Sequence, residues 1–368
     1  MPRKSAKSAA SPEKSKKRMD IRTIAQAAKV SIATVSRTIN HVPTVDPKLA
    51  KRVWKIIEEL NYFPNTQARA LVSGRSRILG LIVSEITNPF FPELIQGFEE
   101  IAIESGYEIL ISSTNYDAQR MTQCIRRMIE RKVDGVAVMT FGIEQPLLEQ
   151  LAQRNIPLVF VDVGPDRAGV SILKIDYEHG IRQGVQHLAA LGHRRIGFIT
   201  GPLTLHSAQL RLAAFKRSLK ECGIPLNATL LVEGDHTLEG GMAAAEKMLA
   251  LAESPTAVMC SNDMTAIGVL HHLYRANLRV PEDISVIGYD DIHIAAVTTP
   301  PLTTIQMSRF ELARAAVKAL REQVEEGADA RREYSITTEL VVRESTGFPK
   351  DAPAALKKRR VSQADKAR

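Results

Sequence analysis

Residues 20–40 read DIRTIAQAAKVSIATVSRTIN, and their spacing decides the first domain. Ile21, Ile24, Ala25 and Ala28 fall at i, i+3, i+4 and i+7, one face of a helix, with Asp20 placed to cap it. Val30-Ser31 interrupts that face. Ser31 can cap a second helix whose inner side carries Val35, Thr38 and Ile39. Further on, Asp46 and Pro47 open a third helix, with Pro47 at the first helical position, where its missing N–H does no harm. The core face of that helix is Leu49, Val53, Ile56, Ile57 and Leu60. Three short helices, the first two joined by a tight turn, predict a helix-turn-helix head over 20–64.

The second helix also says what the head meets. Ile32, Ala33, Ser36, Arg37 and Asn40 point outward or lie toward the helix start, and a recognition helix reads base edges through its first turns. Arg37 can grip guanine O6 and N7 together, while Ile32 and Ala33 can press on thymine methyls. Thr34 and Ser36 hydroxyls suit phosphate oxygens, which position the protein without reading sequence. Charge agrees. Residues 1–78 hold 17 Lys and Arg against 5 Asp and Glu, a surplus of 12, and residues 348–368 hold 7 against 2. With a whole-chain charge of +8, the stretch between them is left at −9. A basic head on an acidic body points the head alone at a polyanion. Residues 1–19 and 348–368 lack bulky apolar side chains and are expected to be disordered basic tails.

From Ile78 the rhythm changes to short apolar runs alternating with amphipathic stretches. Strands are expected at 78–84, 107–112, 133–139, 158–161, 170–175, 196–200, 230–233, 257–260 and 285–288, and the clearest helices at 92–105, 119–131, 177–191, 208–221, 238–251 and 264–276. Runs without polar alternation are buried on both faces, which requires parallel strands covered by helices. Nine such units exceed one compact sheet, so the expected body is two doubly wound subdomains. The fold class is α/β, a small all-α head followed by two parallel α/β subdomains. No Walker loop, G-x-G-x-x-G, G-x-S-x-G or H-E-x-x-H occurs, and no metal-ligand spacing, so neither an enzyme nor a cofactor is expected. Asp162, Asp263, Asp290 and Asp291 lie at strand C-terminal ends, where doubly wound sheets place ligands. Cys124, Cys222 and Cys260 form no C-x-x-C pair and read as reduced core residues. The chain has no long apolar run and no apolar stretch in its first residues, so a cytoplasmic protein is expected.

At this point the chain resembles the LacI/GalR family of bacterial transcription repressors. The head carries the resemblance in Ile24-Ala25, Val30-Ser31, Thr34-Val35-Ser36-Arg37, Asn40, Leu60-Asn61-Tyr62, Pro64-Asn65, Ala68 and Leu71. The body carries it in Asn88-Pro89-Phe90-Phe91, Asp134-Gly135, Leu191-Gly192-His193, Arg211, Asn262-Asp263, Gly288-Tyr289-Asp290-Asp291 and Pro301-Leu302-Thr303-Thr304-Ile305. The match runs from about residue 20 to 347. It implies a homodimer on a palindromic operator, with residues 65–75 as a hinge and Leu71 wedging into the minor groove. It adds Tyr62, Asn65, Ala68 and Leu71 to the DNA-contacting set. It implies a body over 76–347 like the type I periplasmic binding proteins, with one subdomain at about 77–175 plus 307–335 and the other at about 176–304 plus 336–347.

A small effector, a sugar or sugar derivative, is then expected between the subdomains. Asp162, Arg211, Asn262 and Asp290 match effector-contacting positions of the family, and Phe91, Leu94, Leu205, Ser207 and Met307 lie at further pocket positions. Arg309 stands where some sugar-responsive relatives carry an aromatic residue, which suggests either an answer to an anionic ligand or a plain surface arginine. Two other functions stay open on sequence alone. One is a global regulator signalled by a phosphoprotein partner; the other is a sugar-binding or sugar-modifying protein with an incidental basic head.

Overall fold

The computed structural model describes residues 20–40, 42–63, 74–140, 153–154, 156–164, 168–327 and 332–350. The expected tail at 1–19, the hinge residues Asn65, Ala68 and Leu71, and residues 351–368 lie outside the described residues. The chain forms two compact units, Met1–Gly74 and Arg75–Arg368.

The first unit is three helices, α1 (Ile21–Ala28), α2 (Ile32–Ile39) and α3 (Pro47–Glu59). Their starts are set by side chains that satisfy otherwise orphaned amides. Asp20 accepts from the Thr23 N–H at 3.0 Å, Ser31 from Thr34 at 3.0 Å, and Asp46 from Lys48 and Leu49 at 2.8 and 3.1 Å. Lys29, with φ 51°, ends α1 in the left-handed region and sends the chain back across the first helix. Ile24, Ala25, Ala28, Val35, Ile39, Val53 and Ile57 close into one small core, with Trp54 and Tyr62 packed at its edge.

The second unit is an eleven-stranded ladder. Its first half is β1 (Ile78–Val83), β2 (Glu108–Ser113), β3 (Gly135–Met139), β4 (Leu158–Val161) and β5 (Val170–Asp176), in spatial order 2-1-3-4-5. Its second half is β6 (Ile196–Thr200), β7 (Leu231–Glu233), β8 (Ala257–Cys260), β9 (Ser285–Asp290) and β10 (Thr303–Met307), which repeats the pattern as 7-6-8-9-10. All pairs within each half are parallel. The two halves are therefore two doubly wound lobes of one topology.

Strand β11 (Glu333–Val341) joins them. Residues 333–337 run parallel to β5, and residues 338–341 run antiparallel to β10. Neither β10 nor β11 is among the nine expected strands. Thr303–Met307 reads TTIQM and Glu333–Val341 reads EYSITTELV, so both mix polar residues into what would otherwise be a buried run. Helix α10 (Arg309–Glu326), between them, is likewise an addition to the sequence reading.

Helices cover both faces of each half. In the first lobe α4 (Phe90–Glu104) packs with α10, and α5 (Ala118–Glu130) lies against β2. In the second, α6 (Tyr177–Ala190) pairs with α7 (His206–Glu221), and α8 (Leu238–Leu249) with α9 (Asp263–Arg275). Close packing of α6 depends on glycine. A side-chain carbon at Gly180 would strike Ile305 and Thr338, and the Gly180 N–H donates to Thr338 Oγ1 at 3.1 Å.

Candidate functional site

In the head, the outward side of α2 carries Ile32, Ala33, Arg37 and Asn40, all exposed, with Ile32 47% exposed. Ser36 is half-buried. Thr34 is half-buried too, and its hydroxyl is joined to Ser31 Oγ at 2.9 Å, so part of its hydrogen-bonding capacity goes into the helix start. Thr38 faces inward and donates to the Thr34 carbonyl at 2.9 Å. The Arg37 side chain has no hydrogen-bond or ion-pair partner among the described residues, which leaves its planar fork of donors available. Tyr62 is half-buried against the head core, so only its edge is presented.

In the body, both lobes end their parallel strands on one cleft. Asn88, Phe90 and Phe91 follow β1, Tyr116 follows β2, Leu205 and Ser207 follow β6, His236 follows β7, Asn262 follows β8, and Asp290 ends β9; all line the cavity. These are the carboxyl ends of strands beside the points where each strand order reverses, where doubly wound sheets bind ligands. Six expected residues, Phe91, Leu205, Ser207, Arg211, Asn262 and Asp290, are thus brought together. Three are not among the lining residues. Leu94 and Met307 are core side chains, each 1% exposed, because α4 and β10 turn them into the packed interior. Asp162 holds the lobe junction: it accepts from the Tyr177 hydroxyl at 2.6 Å and the Ile175 N–H at 3.0 Å.

Four lining residues, Asn88, Phe90, Tyr116 and His236, were not singled out as cleft residues. Asn88 and Phe90 belong to a motif already noted. Tyr116 and His236 sit in turns with φ 56° and 67°, and their only sequence signal is position just after a strand.

The electrostatics of the cleft centre on Arg211. Its guanidinium lies 4.1 Å from the Tyr289 ring centroid and 5.0 Å from that of Tyr177, and it donates to the Ser261 carbonyl at 2.6 Å. Two aromatic faces stabilise its charge where water cannot. Its Nε and the Nε2 of His236 are buried nitrogens without a partner among the described residues. Such groups are costly when left unmade, and a polar ligand in the cleft would satisfy both. Burial, with the Arg211 charge adding to it, pushes the His236 pKa down to about 3, so the ring is neutral at physiological pH. The ring lies where Gly201 offers no side chain; a β-carbon there would overlap it.

Burial also pushes the Asp290 carboxyl up to about 7, against the pull of Arg211 and Arg309. Asn262 caps α9 by accepting from the Thr265 N–H at 2.9 Å and donates to the His236 carbonyl at 2.9 Å, which fixes the turn that carries the imidazole. The cavity measures about 30 Å3, room for water alone.

Arg309 is not among the residues lining this cavity. Its side chain is largely buried and paired. Its Nε pairs with Glu93 at 2.8 Å, and its two terminal nitrogens donate to the carbonyls of Asp290 and Asp291 at 2.6 and 2.8 Å. Among the described residues no group of three or more His, Cys, Asp or Glu side chains could hold a metal ion. No described helix is long and apolar enough to cross a membrane.

Comparison with known proteins agrees with this geometry. Residues 20–65 match the lacI family of bacterial regulatory proteins, and residues 185–346 match a periplasmic binding protein-like domain. The HTH-type transcriptional repressor PurR of Aliivibrio salmonicida (strain LFI1238) is 36% identical over 326 residues, 88% of this chain and 98% of the relative. Among solved structures, the lac repressor dimer bound to operator and the anti-inducer ONPF superposes with a TM-score of 0.79 at 29% identity. That match covers 89% of this chain and 99% of the other. The complex of the transcriptional regulator CelR with cellobiose gives 0.68 at 29% identity, over 89% and 100% of the two chains. Fold, helix-turn-helix head and relatives together define a DNA-binding transcriptional repressor. The chain belongs to the LacI family.

Proposed function

We propose that this chain acts in the cytoplasm as a homodimeric repressor whose grip on a palindromic operator is set by a small, hydroxyl-rich metabolite, a sugar or sugar derivative, bound between its lobes. The observation that carries this reading is the meeting of Arg211, Asn262, Asp290 and His236 with Phe90, Phe91 and Tyr116 at strand ends of both lobes, two of the nitrogens being buried and unpartnered. Carboxylate, amide and guanidinium groups suit vicinal hydroxyls, and the phenylalanines suit the C–H face of a ring. The cellobiose bound by CelR is a ligand of this chemical kind.

In this reading Arg37, Ile32, Ala33 and Asn40 read base edges, Ser36 and Thr34 meet phosphate, and the 65–75 segment with Leu71 orders on the operator. The effector controls DNA binding only through unequal affinity for two arrangements of the lobes. Thermal shift of the full-length chain across sugars, sugar acids and purines is the first test, since a compound that binds the native state raises its apparent stability. A compound that shifts the wild-type chain should shift Asp290→Ala much less and should change operator affinity. Response to none of the sugars, or full response by Asp290→Ala, would overturn the reading.

A further inference from the structure

Segment 290–293 of the second lobe is held from two sides. Toward the cleft it presents the Asp290 carboxyl. Away from the cleft its backbone is gripped by side chains of α4 and α10, two helices that pack on one another in the first lobe. Arg309, at the start of α10, donates to the Asp290 and Asp291 carbonyls at 2.6 and 2.8 Å. Glu93, in the first turn of α4, pairs with Arg309 Nε at 2.8 Å through one oxygen and accepts from the His293 N–H at 3.0 Å through the other. Three backbone groups of one lobe are thus bound by one ion pair of the other.

The grip falls on unusual backbone. Asp290 and Asp291 have φ of 111° and 56°, a region that side-chain-bearing residues avoid and that persists only where surroundings impose it. The Asp291 side chain cannot swing toward the cleft, because Gln306 and Arg343 hold its two oxygens at 2.8 and 2.6 Å. Glu93 lies two residues beyond Phe91, a cleft-lining side chain, so both ends of the clamp are next to the ligand site.

We propose that Arg309 is the positioning residue for the Asp290 carboxyl, and that Glu93 and Arg309 together clamp the second lobe to the first, making the cleft's geometry a property of its closed arrangement. This rests on the reading of the cleft as the effector site, but its test needs no effector. Asp290 is faced by Arg211 from α7, Asp263 from α9, Glu93 from α4 and Arg309 from α10, with His236 beside it in the cleft wall.

In the full-length chain, the pH dependence of the thermal midpoint is compared for each variant with and without Asp290→Asn, and the difference gives the Asp290 titration. Arg309→Met removes a cation and should raise that midpoint by on the order of one pH unit; Glu93→Gln removes an anion and should lower it. Loosening of the loop alone would move both variants in the same direction, toward the solvent value. Hydrogen exchange supplies the second readout. The His293 amide, whose N–H Glu93 accepts, should exchange roughly tenfold faster in Arg309→Met, because the cation that holds its acceptor in place is gone. Arg309→Lys keeps the charge with fewer donors, so it should hold the Asp290 midpoint near its wild-type value while still freeing the His293 amide. Opposite shifts together with faster exchange support the clamp; shifts of one sign, no shift, or unchanged exchange overturn it. Failure of the sugar panel would strike the effector reading and leave this result standing.

Discussion

Arg37 and Arg211 are the same side chain put to opposite uses. Arg37 stands exposed on α2 with its donors available; Arg211 is 4% exposed and lies against the faces of two adjoining tyrosine rings. Arg37→Ala should therefore cost about 1–3 kcal/mol at the operator position it reads and relax preference there, measured by titrating duplexes substituted one base pair at a time. Asp290 gives a prediction in pH. Its folded pKa, about 7, stands above the unfolded value, so its ionisation opposes folding. The favourable contribution is full below the unfolded pKa and is lost as pH rises through 7. Between pH 5 and 8 the wild-type chain should lose about 3 kcal/mol of stability that Asp290→Asn retains, measured by urea unfolding. Residue identity was the most legible level in the head, where the outward set on α2 follows from helical spacing. It was least legible at Tyr116 and His236, because a turn residue enters a cleft through the path of its backbone, and no periodicity records that path.

Elements differ in how they announce themselves. Strands β3, β4, β6 and β8 are unbroken apolar runs and are read at once; β11 is not, because a strand that passes from one lobe to the other changes its neighbours midway and carries an alternating sequence. Thr338 shows what that crossing strand supports. Its hydroxyl donates to the Asp176 carbonyl at 2.6 Å and accepts from the Gly180 N–H at 3.1 Å. Thr338→Val keeps the shape, leaves the buried Gly180 N–H unpaired and takes a donor from the Asp176 carbonyl, and should cost about 1–3 kcal/mol in denaturant unfolding. At the head, Ser31→Ala removes the cap of the recognition helix and should cost about 1 kcal/mol of stability. For the proposed hinge, Leu71→Ala should reduce DNA bending and specific affinity in gel-shift assays while sparing non-specific binding, because an apolar wedge acts only where a base step is opened.

At the scale of the whole molecule, charge and architecture separate the two jobs. The surplus of 12 positive charges before residue 79 and the deficit of 9 across the body predict that salt acts on the head alone. Operator affinity should fall at least tenfold between 50 and 200 mM salt, while protection by a cleft compound should hardly change. The two lobes are a repeated strand order within one eleven-stranded ladder, so the expectation that nine runs exceed a single sheet gave two lobes for the wrong reason; the thread joining them was not readable, since its strands look half-polar when taken singly. That thread limits how the body can move. A single strand lies parallel to one ladder up to Thr337 and antiparallel to another from Thr338 onward, so it cannot follow both when they turn against each other. The change of partner falls between Thr337 and Thr338. Relative motion of the lobes should then turn about that link and the two other crossings, after β5 and after β10, rather than glide.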